Sequence, residues 1–286
     1  MKSKESFNLE KFQDQFSTLI STPFAEKSGH LIPNQSRFRA GLKEMEMDTL
    51  LSLKGLETYN RNYWYKLLGN LHLTLPLVSH FMGLWKFNKL ALKWFSKEFF
   101  LSRDLGEVPP TFIEEVQKEI NFNYKGEKKL LLNQALGLDR AWYELFRVPF
   151  QTPIAEISIP TENSVFHLKK NIRIIFDSFG LWEKRFQIKE NLENKKNYEM
   201  DQTDGIPAPS KTAQCIVLKS QNLTVDSIEI SFLHGLFLEQ MNHQTLANGI
   251  DRFSQTLNPE QLKLAELSIH SWIKHSLEQK LWDFVN

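Results

Sequence analysis

One cysteine stands in 286 residues, and basic and acidic side chains nearly cancel, with 35 Lys plus Arg against 34 Asp plus Glu. Each scarcity excludes a class. The lone thiol, Cys215, has no second cysteine to pair with, which argues for a reducing compartment and against a disulfide-stapled secreted scaffold. Nowhere do about eighteen apolar residues follow one another, so no membrane-spanning helix is expected. The opening stretch, Met1 to Glu10, is polar and charged and does not read as a signal peptide. Without a strong net charge, the chain lacks the basic body of a protein held mainly by phosphates. The expectation is a cytoplasmic protein with no membrane segment.

What is present is apolar and aromatic. A hydrophobic share of 41%, with 22 Phe and 7 Trp, is the reverse of a disordered composition and ample for a buried core. The length suits one large domain or two modest ones. Charge divides unevenly along the chain: residues 1–150 carry 21 basic and 17 acidic side chains, and residues 151–286 carry 14 and 17, for net charges of +4 and −3.

The first half reads as helix. Asn8 can cap a segment in which Phe12, Phe16, Leu19 and Ile20 recur at helical spacing, and Pro23 stops it. A polar stretch follows, then a mixed segment from Lys43 to Lys54 with weak helical character. From Leu56 to Leu75 apolar positions cover most of a helix circumference, leaving Thr58, Asn62, Lys66 and Asn70 as one polar stripe, which predicts a central helix packed on several sides. Pro76 opens a short helix ending at Gly83, where its missing N–H needs no partner. Further helices are expected from Leu84 to Phe99, from Pro110 to Ile120 and from Glu127 to Arg147. Pro149 and Pro153 then set the expected boundary between a helical domain, 1–150, and a second domain, 151–286.

There the period changes. Ile154 to Ile159, Ser164 to Leu168 and Asn171 to Phe176 read as short strands, and Phe179 to Ile188 as a helix. The stretch of about 190–211, with Asp204-Gly205 and two prolines, reads as a flexible loop. Ala213 to Lys219 and Leu223 to Ile230 make a hairpin, Ser231 caps a helix to about Met241, and a short helix covers Thr245 to Thr256. Asn258-Pro259 caps the last helix. The expected class is α+β, mostly α, with a hairpin followed by three helices.

Chemistry is sparse. His72 and His80 are separated by Pro76, and His270 and His275 fall on different helix faces; no H-E-x-x-H is present. No G-x-S-x-G, G-x-G-x-x-G or G-K-[ST] occurs. Glu114 and Glu115, adjacent on a helix, point to different faces and favour a helix-dipole reading over a catalytic pair. Cys215, beside Ile216 and Val217, has the setting of a small buried apolar group, although a nucleophile remains open from sequence alone. The chain itself is therefore expected to carry no catalytic residue, no metal and no cofactor.

A hairpin with helices also fits a winged-helix DNA-binding unit, and here charge discriminates. Between Lys219 and Lys263 the only basic residue is Arg252, against Asp226, Glu229, Glu239, Asp251 and Glu260. Such helices are poor in phosphate contacts, so DNA is possible but disfavoured. The other reading is an exposed edge strand that accepts an extended peptide, for which Cys215, Val217, Lys219, Val225 and Ile228 are the candidate residues. A hairpin simply covered within the fold is equally compatible with the periodicity.

Several stretches carry a resemblance: Glu57-Thr58-Tyr59-Asn60-Arg61-Asn62-Tyr63, Leu75-Pro76 with Phe81-Met82-Gly83, Asp104-Leu105-Gly106 before Pro110-Thr111-Phe112-Ile113, Leu138 to Phe146, and His167 to Trp182. In order and spacing they resemble, over nearly the full length, a bacterial family known as DNA-binding-domain proteins. Some of its members are partner subunits of multinuclear iron enzymes that modify ribosomally made peptides, as in methanobactin biosynthesis. The family's Glu-Trp is replaced here by Asp139-Arg140, and Asn60 and Arg61 stand in swapped order. The resemblance implies a helical N-terminal domain, a C-terminal domain similar to a peptide-leader recognition element, and a function as non-catalytic adaptor between a precursor peptide and an iron-dependent oxidase. On the central helix, Asn60 reads as a buried residue fixing register, while Arg61, Asn62 and Lys66 are the candidates for contact with the partner enzyme.

Overall fold

A computed structural model describes residues 9–27, 30–44, 53–96, 110–148, 163–194, 207–210, 213–221 and 224–285. The class is α+β and mostly α, and the contacts divide the chain into two compact units, Met1–Tyr124 with Ile188–Thr203, and Lys125–Gln187 with Asp204–Asn286. The composition break at Pro149 and Pro153 lies outside the described residues, as do Asn8 and the strand expected from Ile154 to Ile159.

In the first unit, α1 (Leu9–Ile20) leads to an antiparallel pair, β1 (Ala25–Lys27) and β2 (His30–Ile32), then to α2 (Gln35–Glu44). The central helix is α3 (Leu53–Thr74), which buries Leu56, Asn60, Trp64, Leu67, Leu68, Leu71 and His72 and leaves Thr58, Asn62 and Lys66 exposed. The nearly all-round apolar pattern is why it packs on several sides. Leu56 joins Leu19, Phe38 and Leu42 in one cluster, and Trp64 and Leu67 join Phe24, Leu31 and Leu92 in another. After it come α4 (Pro76–Met82), with Pro76 in its first turn, and α5 (Leu84–Phe95). Gly83, at φ 92°, makes the break between them in a conformation that favours glycine. α6 (Pro110–Asn123) places Phe112 against Phe87 and Trp94, with ring centroids 5.7 and 5.5 Å apart.

The second unit is organised by a sheet. α7 (Gly126–Phe146) packs on one face of an antiparallel sheet of β4 (Ile172–Asp177), β5 (Gln214–Gln221) and β6 (Thr224–Ile230), in that order. A second sheet, ordered β7-β3-β8, is made of β3 (Val165–Leu168), β7 (Gln244–Thr245) and β8 (Trp282–Val285). On the opposite face of the first sheet lies α9 (Phe232–Met241), followed by α10 (Leu246–Gln255) and α11 (Pro259–Glu278). Their core is Val217, Phe237, Leu238, Met241, Phe253 and Ala265, with Trp272 and Ile273 packed against it. Ser231 accepts a hydrogen bond from His234 N, and Asn258 forms a capping box with Gln261, so the expected helix starts are realised.

One expectation is corrected. Residues 190–194, expected in the loop of about 190–211, belong to α8 (Leu181–Asn194), in which Leu192 is buried like Ile188 one turn earlier; residues 195–206 of that stretch lie outside the described residues. Asp177 starts this helix by accepting hydrogen bonds from Phe179 N at 3.0 Å and Trp182 N at 2.8 Å.

Candidate functional site

The three-stranded sheet has β5 at its centre and β4 and β6 at its edges. Which backbone groups the edges offer follows from register. Ser220 N donates to Asn171 O at 2.9 Å, so residues 171 and 220 exchange ladder bonds. In an antiparallel ladder such pairs alternate with non-bonded ones, and each residue's N–H and C=O point to the same side. With Arg173 opposite Leu218 and Ile175 opposite Ile216, the odd-numbered residues of β4 bond to β5 and Ile174 and Phe176 direct theirs outward. On the other side, Val217 faces Ile228 and Cys215 faces Ile230 in bonded pairs. That leaves the N–H and C=O of Val225, Ser227 and Glu229 aimed away from the sheet along β6.

This arrangement corrects part of the sequence expectation. Cys215, Val217 and Lys219 lie on β5, whose backbone is paired on both sides, so they are not edge residues. Cys215 and Val217 are fully buried beneath α9, and a Cβ placed on Gly235 of that helix would run into Cys215 Sγ. Burial, and then Glu239, push the Cys215 thiol up to about 12, so it is an inert apolar filler. Lys219 donates from Nζ to Gln279 O at 3.0 Å, binding a carbonyl at the end of α11. Val225 and Ile228 lie on the edge strand as expected, both half-buried.

Strand alternation puts Asp226, Ile228 and Ile230 on the α9 face and Val225, Ser227 and Glu229 on the α7 face. Ile228 and Ile230 pack at the margin of the core, as do Ile269, Trp272 and Ile273 of α11. Within that core His234 stacks on Trp272, with centroids 5.5 Å apart, and its Nε2 lies 3.0 Å from Ser276 Oγ. Because Ser276 Oγ donates to Trp272 O at 2.7 Å, it accepts from His234, which fixes the Nε2–H tautomer. Burial, followed by the nearby His275, lowers the His234 pKa to about 4, which keeps the ring neutral. Further along α11, Leu264 and Leu267 are exposed.

Arg61, Asn62 and Lys66 are exposed on α3 in the first unit. Asn60 is buried, and its Nδ2 donates to Ile20 O at 2.8 Å and to Thr22 O at 2.7 Å. The β4 edge, by contrast, was not singled out from sequence. It borders a cleft of about 450 Å³ lined by Leu168, Lys169, Lys170, Ile172, Arg173, Ile174, Glu239 and Asn242. The sequence signal was the Lys-Lys-x-x-Arg run at a strand entrance, visible only once β4 is known to be an edge.

Among the described residues no helix is long and apolar enough to cross a membrane, and no group of three or more His, Cys, Asp or Glu is placed to hold a metal ion. No protein-family model matches the chain, and no curated protein matches it.

Proposed function

We propose that the chain is a non-catalytic, cytoplasmic adaptor that takes an extended precursor peptide as an added strand on β6 and presents it to an iron-dependent peptide-modifying oxidase. The observation that carries the reading is the β6 edge, where Val225, Ser227 and Glu229 turn three sets of N–H and C=O groups away from β5. Strand addition draws its affinity from such groups and its specificity from side-chain pockets beside them. Here Ile228 and Ile230, on the α9 face of the strand at the margin of the core, supply the apolar side. The exposed Arg61, Asn62 and Lys66 of α3 are assigned to the enzyme partner. The acidic balance of the second half, with β6 itself bearing Asp226 and Glu229, favours a peptide over a polyphosphate.

Co-expression with a candidate iron-dependent peptide oxidase and its precursor peptide tests the proposal. A ternary complex is expected, and Ser227→Pro is expected to lose the peptide while retaining the fold. Proline there removes an outward N–H and leaves the ladder to β5 intact. Absence of any complex, together with no peptide binding at tens of micromolar, contradicts the proposal.

A further inference from the structure

The opposite edge of the same sheet is built differently. Its cleft is lined from β4 by Ile172, Arg173 and Ile174, from α9 and its C-cap by Glu239 and Asn242, and from the β3–β4 corner by Leu168, Lys169 and Lys170. The corner is held in place: Lys169 N donates to Leu281 O at 3.1 Å, Ile172 N to Lys169 O at 3.0 Å and Leu168 N to Asn242 Oδ1 at 2.9 Å. Arg173 Nη1 donates to Lys170 O and Ile172 O, at 3.0 and 2.8 Å, which fixes the guanidinium along the edge.

Three features converge on one occupant. First, Ile174 and Phe176 point their N–H and C=O outward beside the cleft, which asks for a polypeptide backbone. Second, Leu168, Ile172 and Ile174 make the lining apolar on the α9 side, while Arg173 stands on the α7 side, where it pairs with Glu144 at 3.4 Å. A strand laid against β4 alternates its side chains between those two faces. Third, Lys169 and Lys170 bring positive charge to the corner of the cleft, in a cationic neighbourhood. Burial, and then Lys169 and Lys280, hold the Lys219 ammonium below its usual range, against the opposing influence of Asp226.

We propose that the β4–α9 cleft binds a second extended polypeptide segment, one whose carboxylates alternate with aliphatic side chains. This site goes beyond the β6 reading and does not depend on it. A nucleic acid fits less well, because the lining is apolar on one side, Glu239 stands in its wall, and Lys169 and Arg173 already lie near Asp283 and Glu144. Isolated carboxylates suit such partly neutralised cations better than a continuous run of phosphates.

The test is a titration of the full chain with a fluorescein-labelled, end-blocked peptide of alternating Glu and Val, at low salt, with backbone amide exchange followed by NMR. Saturable binding is expected, with new protection at Ile174 and Phe176. Lys170→Glu, at an exposed position, is expected to weaken it by about tenfold. N-methylation of alternate peptide amides is expected to abolish binding in the register that faces β4, with charge unchanged. The proposal is overturned if the peptide does not bind, if an alternating Lys and Val peptide binds equally, or if Lys170→Glu or N-methylation has no effect. Competition by a random-sequence DNA duplex at the same residues overturns it as well. Protection confined to Val225, Ser227 and Glu229 removes this site and leaves the β6 reading standing.

Discussion

Arg185 Nε lies 3.2 Å from Asp139 Oδ1, with both side chains buried, and the guanidinium sits over the Trp142 ring at 4.5 Å. The pair ties α8 to α7. Burial pulls the Arg185 pKa down and Asp139 opposes that, while Arg185 Nη1 has no hydrogen-bond partner among the described residues. Removing one charge strands the other, so Asp139→Asn is expected to lower unfolding free energy by about 3 kcal/mol or more. The double change Asp139→Leu with Arg185→Met is expected to recover most of that loss, since it removes both desolvation costs. Urea unfolding of the three variants checks this.

Asn60 is expected to be intolerant for a different reason. Its amide satisfies two carbonyls at the end of α1, and Trp64 Nε1 shares the second by donating to Thr22 O at 2.8 Å. Asn60→Ala leaves Ile20 O without this donor and is expected to cost about 1 to 3 kcal/mol. Amide exchange in α1 is expected to accelerate more than that in α5.

Cys215 is predicted to resist thiol reagents at neutral pH and to react only on unfolding, because its pKa of about 12 leaves almost no thiolate. Gly235→Ala is expected to destabilise by about 1 to 3 kcal/mol, as the new methyl meets Cys215 Sγ and Phe176. Adding Cys215→Ala is expected to restore part of the loss. Equal losses in the single and double variants contradict the contact.

Two neutral histidines set an acid limit. His72 is lowered to about 4 by burial, despite its hydrogen bond to Asn88, and His234 to about 4 by burial and His275. Both take up protons more readily when unfolded, so their contribution is complete above about pH 6.5, the ordinary histidine value. It declines as pH falls towards about 4, at up to about 1.4 kcal/mol per pH unit for each residue. Urea midpoints across that window are expected to fall, and His72→Gln is expected to flatten the slope.

Local signals were legible where one principle dominated. Pro76 at a first turn, Ser231 as a cap and Asn258 as a cap before Pro259 each depend only on near neighbours in sequence. The hairpin was legible too, because β-branched residues surround a polar turn. Strand order was not. Nothing in Cys215, Val217 and Lys219 says that Ile172 to Asp177 pairs on their far side, across some forty intervening residues, and that pairing is what moves them from an edge to the centre. β8 was hidden for a similar reason: no strand was expected at Trp282 to Val285, which pairs with β3 so that Phe166 packs against Trp282 and Phe284, at 5.6 and 5.0 Å. Sequence periodicity reports which face is apolar, and only tertiary pairing decides which edge is open.

Amide-resolved hydrogen exchange of β6, with and without the extended peptide of the proposed function, tests strand addition most directly. The outward N–H groups of Val225, Ser227 and Glu229 are expected to exchange rapidly in the free chain and to become protected on binding, while those of Asp226 and Ile228, already bonded to β5, change little. Peptide binding that leaves Val225, Ser227 and Glu229 unprotected contradicts the account.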